Sequence, residues 1–383
     1  MSSTSRFADV APDLVTTVSD GLPPSTTPPA GSAVALRTDD VDVSAAAGLR
    51  TVDTSTTSEA TLTADTQHDL ASVTKIVATT TALLGLVSAG VVGLDDQVTQ
   101  FLPEFDEGEK AKVTLRHLLL HRGGLWEWQP VYLAVAEGGT ANDFVDRLPL
   151  RYRPDSGRHY SDLGFMLLGR IVAHVTGSSL EQAVATLVTE PLGLTSTGFS
   201  HPTDDDVAMS SFDDRIEIAM IDGDDPYPVP YQSADFPRWR TEAVVGDVND
   251  GNAFHAFDAV AGHAGLFSNV HDLIRFGEAL ARADEHEDLW RPDVVAEFFE
   301  PGPDEGQGIG FRRYRVVVDG ESMEMLGHTG FVGCAVGFVP GRGIAVAMAT
   351  NRLVTVGTPV PNDDLWARVR GAAGVALSER AGV

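Results

Sequence analysis

The chain has 383 residues, 43% of them hydrophobic, and a formal net charge of −28 from 55 acidic and 27 basic side chains. That length exceeds the usual single-domain range and predicts one large domain or two interleaved ones, while so acidic a balance excludes a nucleic-acid-binding face and any attraction to anionic membranes. Cys334, the one cysteine, excludes an intrachain disulfide, and a carboxylate excess paired with only three lysines fits a chain working in concentrated salt, where screening suppresses self-repulsion.

No apolar run with a cleavage site follows Met1, so no secretory signal or membrane anchor is expected, and a cytoplasmic, high-salt setting is. Residues 6–20 predict a weak amphipathic helix, and a Pro/Ser/Thr linker follows at 22–31. Ser32–Leu36 and Val41–Ala47 predict two strands joined at Thr38-Asp39-Asp40. The Thr-rich stretch 51–68 has no clear period, and Asp69 or Ser72 then caps a long apolar helix running to about Ser88. This helix is long enough to raise the question of a membrane span, but its Thr, Ala and Gly content predicts a buried core helix. Helices are predicted at Thr114–His121, Leu163–Thr176 and from Leu180 to Leu192, and 201–238 reads as a long surface loop. Val270–Arg282 predicts an amphipathic helix, and 363–378 a closing one. Between them Arg313–Asp319, Glu321–Leu326, Cys334–Val339 and Ile344–Thr350 predict four strands. Strands at both ends around a helical middle give an α+β class. The sheet domain is expected from 1–89 and 240–383, with 90–239 a mainly helical insert.

Three polar constellations stand out. Ser72 and Lys75 are three apart, so a helix puts both on one face. Lysine, unlike arginine, can release its proton when desolvated, so this pair is a candidate nucleophile with its base one turn away. Tyr160-Ser161-Asp162 precedes an apolar helix; a phenol beside a lysine can shuttle protons, though a buried tyrosine followed by a capping Ser or Asp reads equally well. His328-Thr329-Gly330 falls between two strand-like runs, either a substrate-docking edge or a simple turn.

In this order, the three triplets resemble the signature of the penicillin-recognising serine hydrolases, in the class C β-lactamase, DD-peptidase and esterase branch. The resemblance spans about residues 28–352. It includes the RHLLLHRGGL run at 116–125, PLGLTST at 191–197 and GHAGLFS at 262–268. It implies a mostly antiparallel sheet flanked by terminal helices, with an inserted helical subdomain. Ser72 would form an acyl-enzyme on a small-molecule, short-peptide or ester substrate, with no cofactor. Lys75 and Tyr160 would share the proton transfers, in an order the sequence leaves open. The backbone N–H groups of Ser72 and Phe331 would form the oxyanion hole, and Asp162, Thr329 and Gly330 would contact substrate. His328 would hold a substrate carboxylate or relay protons, its charge changing near neutral pH.

The chain departs from that pattern twice, with Asp162 in place of the usual Asn and His328 in place of Lys. A carboxylate at 162 would favour the charged form of Lys75, disfavour anionic substrates such as β-lactams and suit a free amine. These departures keep open a catalytically silent, ligand-binding relative. A metal-dependent hydrolase using His117 and His121 is a further alternative, but the Glu of His-Glu-x-x-His is absent and no metal is expected. Pocket walls are expected from 120–160 and 205–250. Oligomeric state is not legible.

Overall fold

A computed structural model describes residues 10–381 apart from 55–57, 137, 200–205 and 224–226. Residues 201–205 of the expected surface loop and 6–9 of the first helix therefore lie outside the described residues. Helix α1 (Val10–Ser19) leads into strands β1 (Gly31–Arg37), β2 (Asp42–Thr51), β3 (Ala60–Thr61) and β4 (His68–Asp69). The apolar segment after β4 is not one regular helix. It opens as a tight 3-10 turn at Ala71–Val73, widens to a π-helical stretch at Lys75–Thr80 and becomes the α-helix α2 at Thr81–Ser88. Such mid-helix widening is a common mark of functional sites. Ala71–Ser88 is apolar enough to cross a membrane, yet it is packed inside the molecule.

The middle of the chain holds α3 (Leu115–Leu119), α4 (Val131–Ala136), α5 (Ala141–Arg147), α6 (Asp162–Thr176) and α7 (Leu180–Val184). Strand β5 (Met209–Ser211) and α8 (Arg215–Gly223) follow, inside the span expected to be loop. Proline and aspartate on both sides hide this short helix from a periodicity reading. Then come β6 (Val244–Val245), α9 (Gly251–Ala256), β7 (Phe267–Ser268), α10 (Val270–Ala281) and α11 (Pro292–Phe299). Strands β8 (Arg312–Val318), β9 (Glu321–Thr329), β10 (Ala335–Val339) and β11 (Ile344–Thr350) and helix α12 (Asn362–Ala381) close the chain.

The main sheet has seven antiparallel strands in the order β3-β2-β1-β11-β10-β9-β8. The two ends of the chain meet at its centre, where Ser32 pairs with Thr350 and Arg37 with Ala345. Successive side chains on a strand point to opposite faces, and both faces of this sheet are covered. Val34, Leu36, Val346 and Met348 pack under α1 and α12, together with Trp366. Ala33, Ala35, Ala345 and Ala347 face the other way, toward α10 and the helical middle. Alanines on that face let α10 approach closely, and Val336 and Phe338 of β10 fill the layer beside it. This is the β-lactamase/transpeptidase fold: an antiparallel sheet, terminal helices on one face and a helical insert on the other.

Candidate active site

The turn that carries Ser72 is held under backbone strain. Ala71, immediately before it, has φ of 44°, a left-handed conformation that costs an alanine about 1–2 kcal/mol. Asp69 stabilises the turn. Its buried carboxylate accepts the Ala71 N–H at 2.7 Å on one oxygen and the Asn249 N–H at 2.6 Å on the other. Burial pushes this carboxyl up to about 6 against those two bonds, so at neutral pH it is a carboxylate. Strand β4, which ends at Asp69, is pinned in turn by pairing with β7.

Lys75 lies one turn on, with its side chain wholly buried. Its Nζ donates to Ser72 Oγ at 2.8 Å and to the His263 carbonyl at 3.2 Å. It also forms an ion pair with Asp162 Oδ1 at 2.7 Å, close in distance but without the alignment of a hydrogen bond. An ammonium has three N–H groups and no lone pair, and here three oxygens surround it. Burial opposes the charge, but Asp162 and then Tyr160 outweigh it and hold the Lys75 ammonium above its ordinary range. At rest Lys75 is therefore a cation that donates to Ser72.

Tyr160 and Asp162 arrive on the loop that opens α6. Ser161 between them caps the helix, its Oγ accepting the Gly164 N–H at 3.2 Å and donating to the Trp126 carbonyl at 2.6 Å. His121 fixes the same loop from beneath. Its Nδ1 accepts the Ser161 N–H at 3.0 Å, its carbonyl accepts the His159 N–H at 2.8 Å, and its ring lies 4.5 Å from that of Tyr160. His117 Nδ1 is likewise spent on a backbone N–H, that of Thr114 at 3.2 Å. Both histidines therefore spend the Nδ1 lone pair on the backbone, which places the proton of the neutral ring on Nε2. The Lys75 ammonium is 5.1 Å from the centre of the Tyr160 ring and the Arg158 guanidinium is 5.8 Å from it, so positive charge flanks the phenol.

The end of β9 completes the cluster, with two corrections. His328 was expected to change charge near neutrality and to hold a carboxylate. It is 2% exposed, and burial, followed by Arg312 and Lys75, pushes its ionisation well below the ordinary range. Its Nδ1 lies 2.7 Å from the Thr329 carbonyl, so the proton is on Nδ1, and the buried Nε2 is an unpartnered lone pair. A neutral ring of this tautomer has no donor to offer a substrate carboxylate. It lies against Tyr160, with ring centres 5.9 Å apart. The Thr329 hydroxyl, expected to meet substrate, instead donates to Asp363 at 2.9 Å and accepts from Arg312 at 3.1 Å. Gly330 has a packing role: a Cβ there would lie 2.2 Å from the Leu70 carbonyl oxygen, so glycine lets β9 press against the Ser72 turn. Beyond it, Phe331 is 46% exposed at the mouth of the site, and its N–H has no backbone acceptor among the described residues.

Ser72, Tyr160, Asp162 and Phe331 all line one cavity of about 330 Å³. Ala71 lines it beside Ser72, and the other walls come from Trp128 and from residues 211–250, within the spans expected to supply them. Trp128, Ile216, Met220 and Tyr227 make one part apolar. Asp213, Asp214, Glu217 and Asp250 make another part acidic. No sequence motif marks these acids. Asp250 belongs to the acidic run 246–251, which resembles a calcium loop only faintly, and it serves as the N-cap of α9. Glu217 lies on α8, the helix that the composition concealed.

Residues 27–370 match the family model described as Beta-lactamase. The chain belongs to the β-lactamase family. Among curated relatives, this β-lactamase-family protein is 32% identical over 318 residues to an Escherichia coli (strain K12) protein described as "Putative D-alanyl-D-alanine carboxypeptidase", a match covering 76% of this chain and 70% of that one. A D-amino acid amidase from Ochrobactrum anthropi SV3, solved with L-phenylalanine amide, superposes with a TM-score of 0.65 at 19% identity, covering 98% of this chain and 99% of that one. A class C β-lactamase from Rhodobacter sphaeroides gives 0.61 at 18% identity, covering 100% and 99%. At those identities the two solved structures speak for the fold.

Proposed function

We propose that this β-lactamase-family protein is a serine hydrolase that cleaves an ester or amide through an acyl-enzyme on Ser72. The observation that carries the reading is the Ser72 hydroxyl, 2.8 Å from the buried Lys75 ammonium, in a cavity it shares with Tyr160. Because Lys75 rests as an ammonium, it cannot take the first proton. Its bond to Ser72 uses a lone pair of the hydroxyl, leaving the hydroxyl proton free to point to Tyr160. Tyr160 relays that proton: as Oγ attacks the carbonyl carbon, the phenol oxygen accepts it while the phenol's own proton passes to the leaving-group atom, so the phenol stays neutral. The Ser72 and Phe331 N–H groups receive the oxyanion. As the tetrahedral intermediate collapses, the leaving group departs with the proton it received from the phenol. Water then enters by the same route in reverse roles and releases the acid. His328 is a positioning residue behind Tyr160.

The carboxylate of Asp162 and the acidic wall disfavour substrates that bear an anion beside the scissile bond, which counts against efficient β-lactam turnover. A fluorophosphonate probe followed by peptide mass spectrometry tests the reading. The label should fall on Ser72 and vanish in Ser72→Ala, along with ester turnover. A folded protein that no probe labels and that turns over no ester would refute it. The ion pair that fixes Lys75 as a cation also favours a second reading, a ligand-binding protein without turnover, which any Ser72-dependent hydrolysis excludes. The net charge of −28 further supports a high-salt working environment as a proposal.

A further inference from the structure

Five acidic side chains line the cavity, and four of them already face a basic partner. Asp162 faces Lys75 at 2.7 Å, Asp213 faces Arg215 at 2.6 Å, Asp214 faces Arg240 at 2.6 Å and Asp250 faces His263 at 3.0 Å. Glu217 faces no basic partner among the described residues. Its Oε2 accepts the Gly251 N–H at 2.9 Å, and the buried hydroxyl of Tyr132 faces the carboxyl, so its neighbours are neutral donors and no cation. Asp250 is its close neighbour in the wall. The bonds from His263 and from the Ala253 N–H both go to Asp250 Oδ1, and Asp250 lines the cavity. Burial first, then the charges of Asp250 and Asp214, push the Glu217 carboxyl up to about 8. The two adjacent carboxyls thus carry one charge between them, and a cation placed against them would favour both as carboxylates.

Among the described residues, no lysine or arginine side chain lines this cavity. Trp128, Ile216, Met220 and Tyr227 line the same cavity as the two acids, so it offers a cationic group and an apolar group one small space. We propose that Glu217 and Asp250 form a receptor for a protonated primary amine, and that the hydrolysed substrate is an ester or amide of an α-amino acid with an apolar side chain. This rests on the hydrolase reading for the chemistry, but the amine recognition is a binding property that turnover need not report. A metal ion is a poor alternative occupant, because the described residues include no group of three or more His, Cys, Asp or Glu side chains placed to hold one.

The test compares phenylalaninamide with 3-phenylpropanamide, which lacks only the amine. In the wild-type enzyme, kcat/KM should favour the amine by at least about tenfold. Glu217→Gln should lower that preference at least about tenfold through KM rather than kcat. A role confined to packing would lower both substrates alike and leave the ratio unmoved, which would overturn the proposal. The pH profile adds a signature. For the N,N,N-trimethyl analogue, whose charge is permanent, KM should fall as pH rises through about 8, where Glu217 ionises, and Glu217→Gln should remove that change. Calorimetry on Ser72→Ala keeps the two readings separate, since it needs no turnover. Tighter binding of phenylalaninamide than of 3-phenylpropanamide supports the receptor even if hydrolysis is never found. Equal binding sinks it even if Ser72 proves to be a nucleophile. The Ser72→Ala comparison also leaves Glu217 intact, so it decides the matter if Glu217→Gln fails to fold.

Discussion

Asp162→Asn is the most informative single change, because it removes the charge that holds Lys75 as an ammonium while keeping the side chain's shape. At the observed 2.7 Å, the Lys75–Asp162 attraction is about 6 kcal/mol at an effective dielectric near 20. Desolvation of the wholly buried ammonium consumes much of that, so the wild-type pair has a small net value, whereas the unpaired ammonium left by the substitution costs about 3–5 kcal/mol. The variant escapes that cost by releasing the Lys75 proton. Its stability must then depend on pH with a definite sign. In wild type, the folded-state ionisation of Lys75 is raised, so the pair's contribution is fully present below about 10.4, the unfolded value, and is lost only above it. In the variant the folded lysine binds its proton less tightly than the unfolded one, so stability rises with pH by up to about 1.4 kcal/mol per pH unit. Urea titrations from about pH 6 to about pH 9.5, below the unfolded lysine value, compare the two slopes. The gap between variant and wild type should be widest at the acid end and close toward the alkaline end. Acylation of Ser72 by a fluorescent probe should also begin at lower pH in the variant, because a neutral Lys75 can then serve as the base. A constant stability gap, with superimposable acylation profiles, would refute the claim that Asp162 sets the charge of Lys75.

Gly330→Ala places a Cβ 2.2 Å from the Leu70 carbonyl, which must move and carry the Ser72 turn with it. A displacement of about 1 Å there should slow Ser72 labelling on the order of a hundredfold, measured beside circular dichroism to show the fold retained. His328→Lys puts a cation into a buried position already facing Arg312, Lys75 and Arg158. Denaturant titration should show a loss of about 3–5 kcal/mol at neutral pH that shrinks as pH rises and the new lysine discharges. If the excess of carboxylates is a salt adaptation, the unfolding midpoint should climb as potassium chloride is raised from low to molar levels, and a midpoint indifferent to salt would reject the idea.

The architecture was largely legible in the chain itself. Strands such as Ile344–Thr350, buried along their whole length, read as continuous apolar runs bounded by Gly and Asn, and such runs leave little doubt about their structure. The Ser72–Lys75 and Tyr160–Asp162 triplets were legible because local spacing decides which side chains share a face or cap a helix. The split of the segment Ala71–Ser88 into 3-10, π and α turns was not, since no residue type encodes it and packing of Lys75 against Asp162 and His263 selects it. The charge state of His328 was misread for a related reason. A histidine in a sequence carries its solution behaviour, and only the fold shows that its ring is buried among cations.

Residue order alone placed six of the sheet's seven strands and marked Ser72 as the candidate nucleophile, because periodicity and spacing act over a few residues and need no knowledge of distant neighbours. Tertiary structure alone decided that Asp162 reaches Lys75, that Thr329 is engaged by Asp363, and that Glu217 and Asp250 stand side by side in the wall of the Ser72 cavity. Those partners are 33 to 87 positions apart, and electrostatic pairing depends on distance in space, which the chain acquires only by folding.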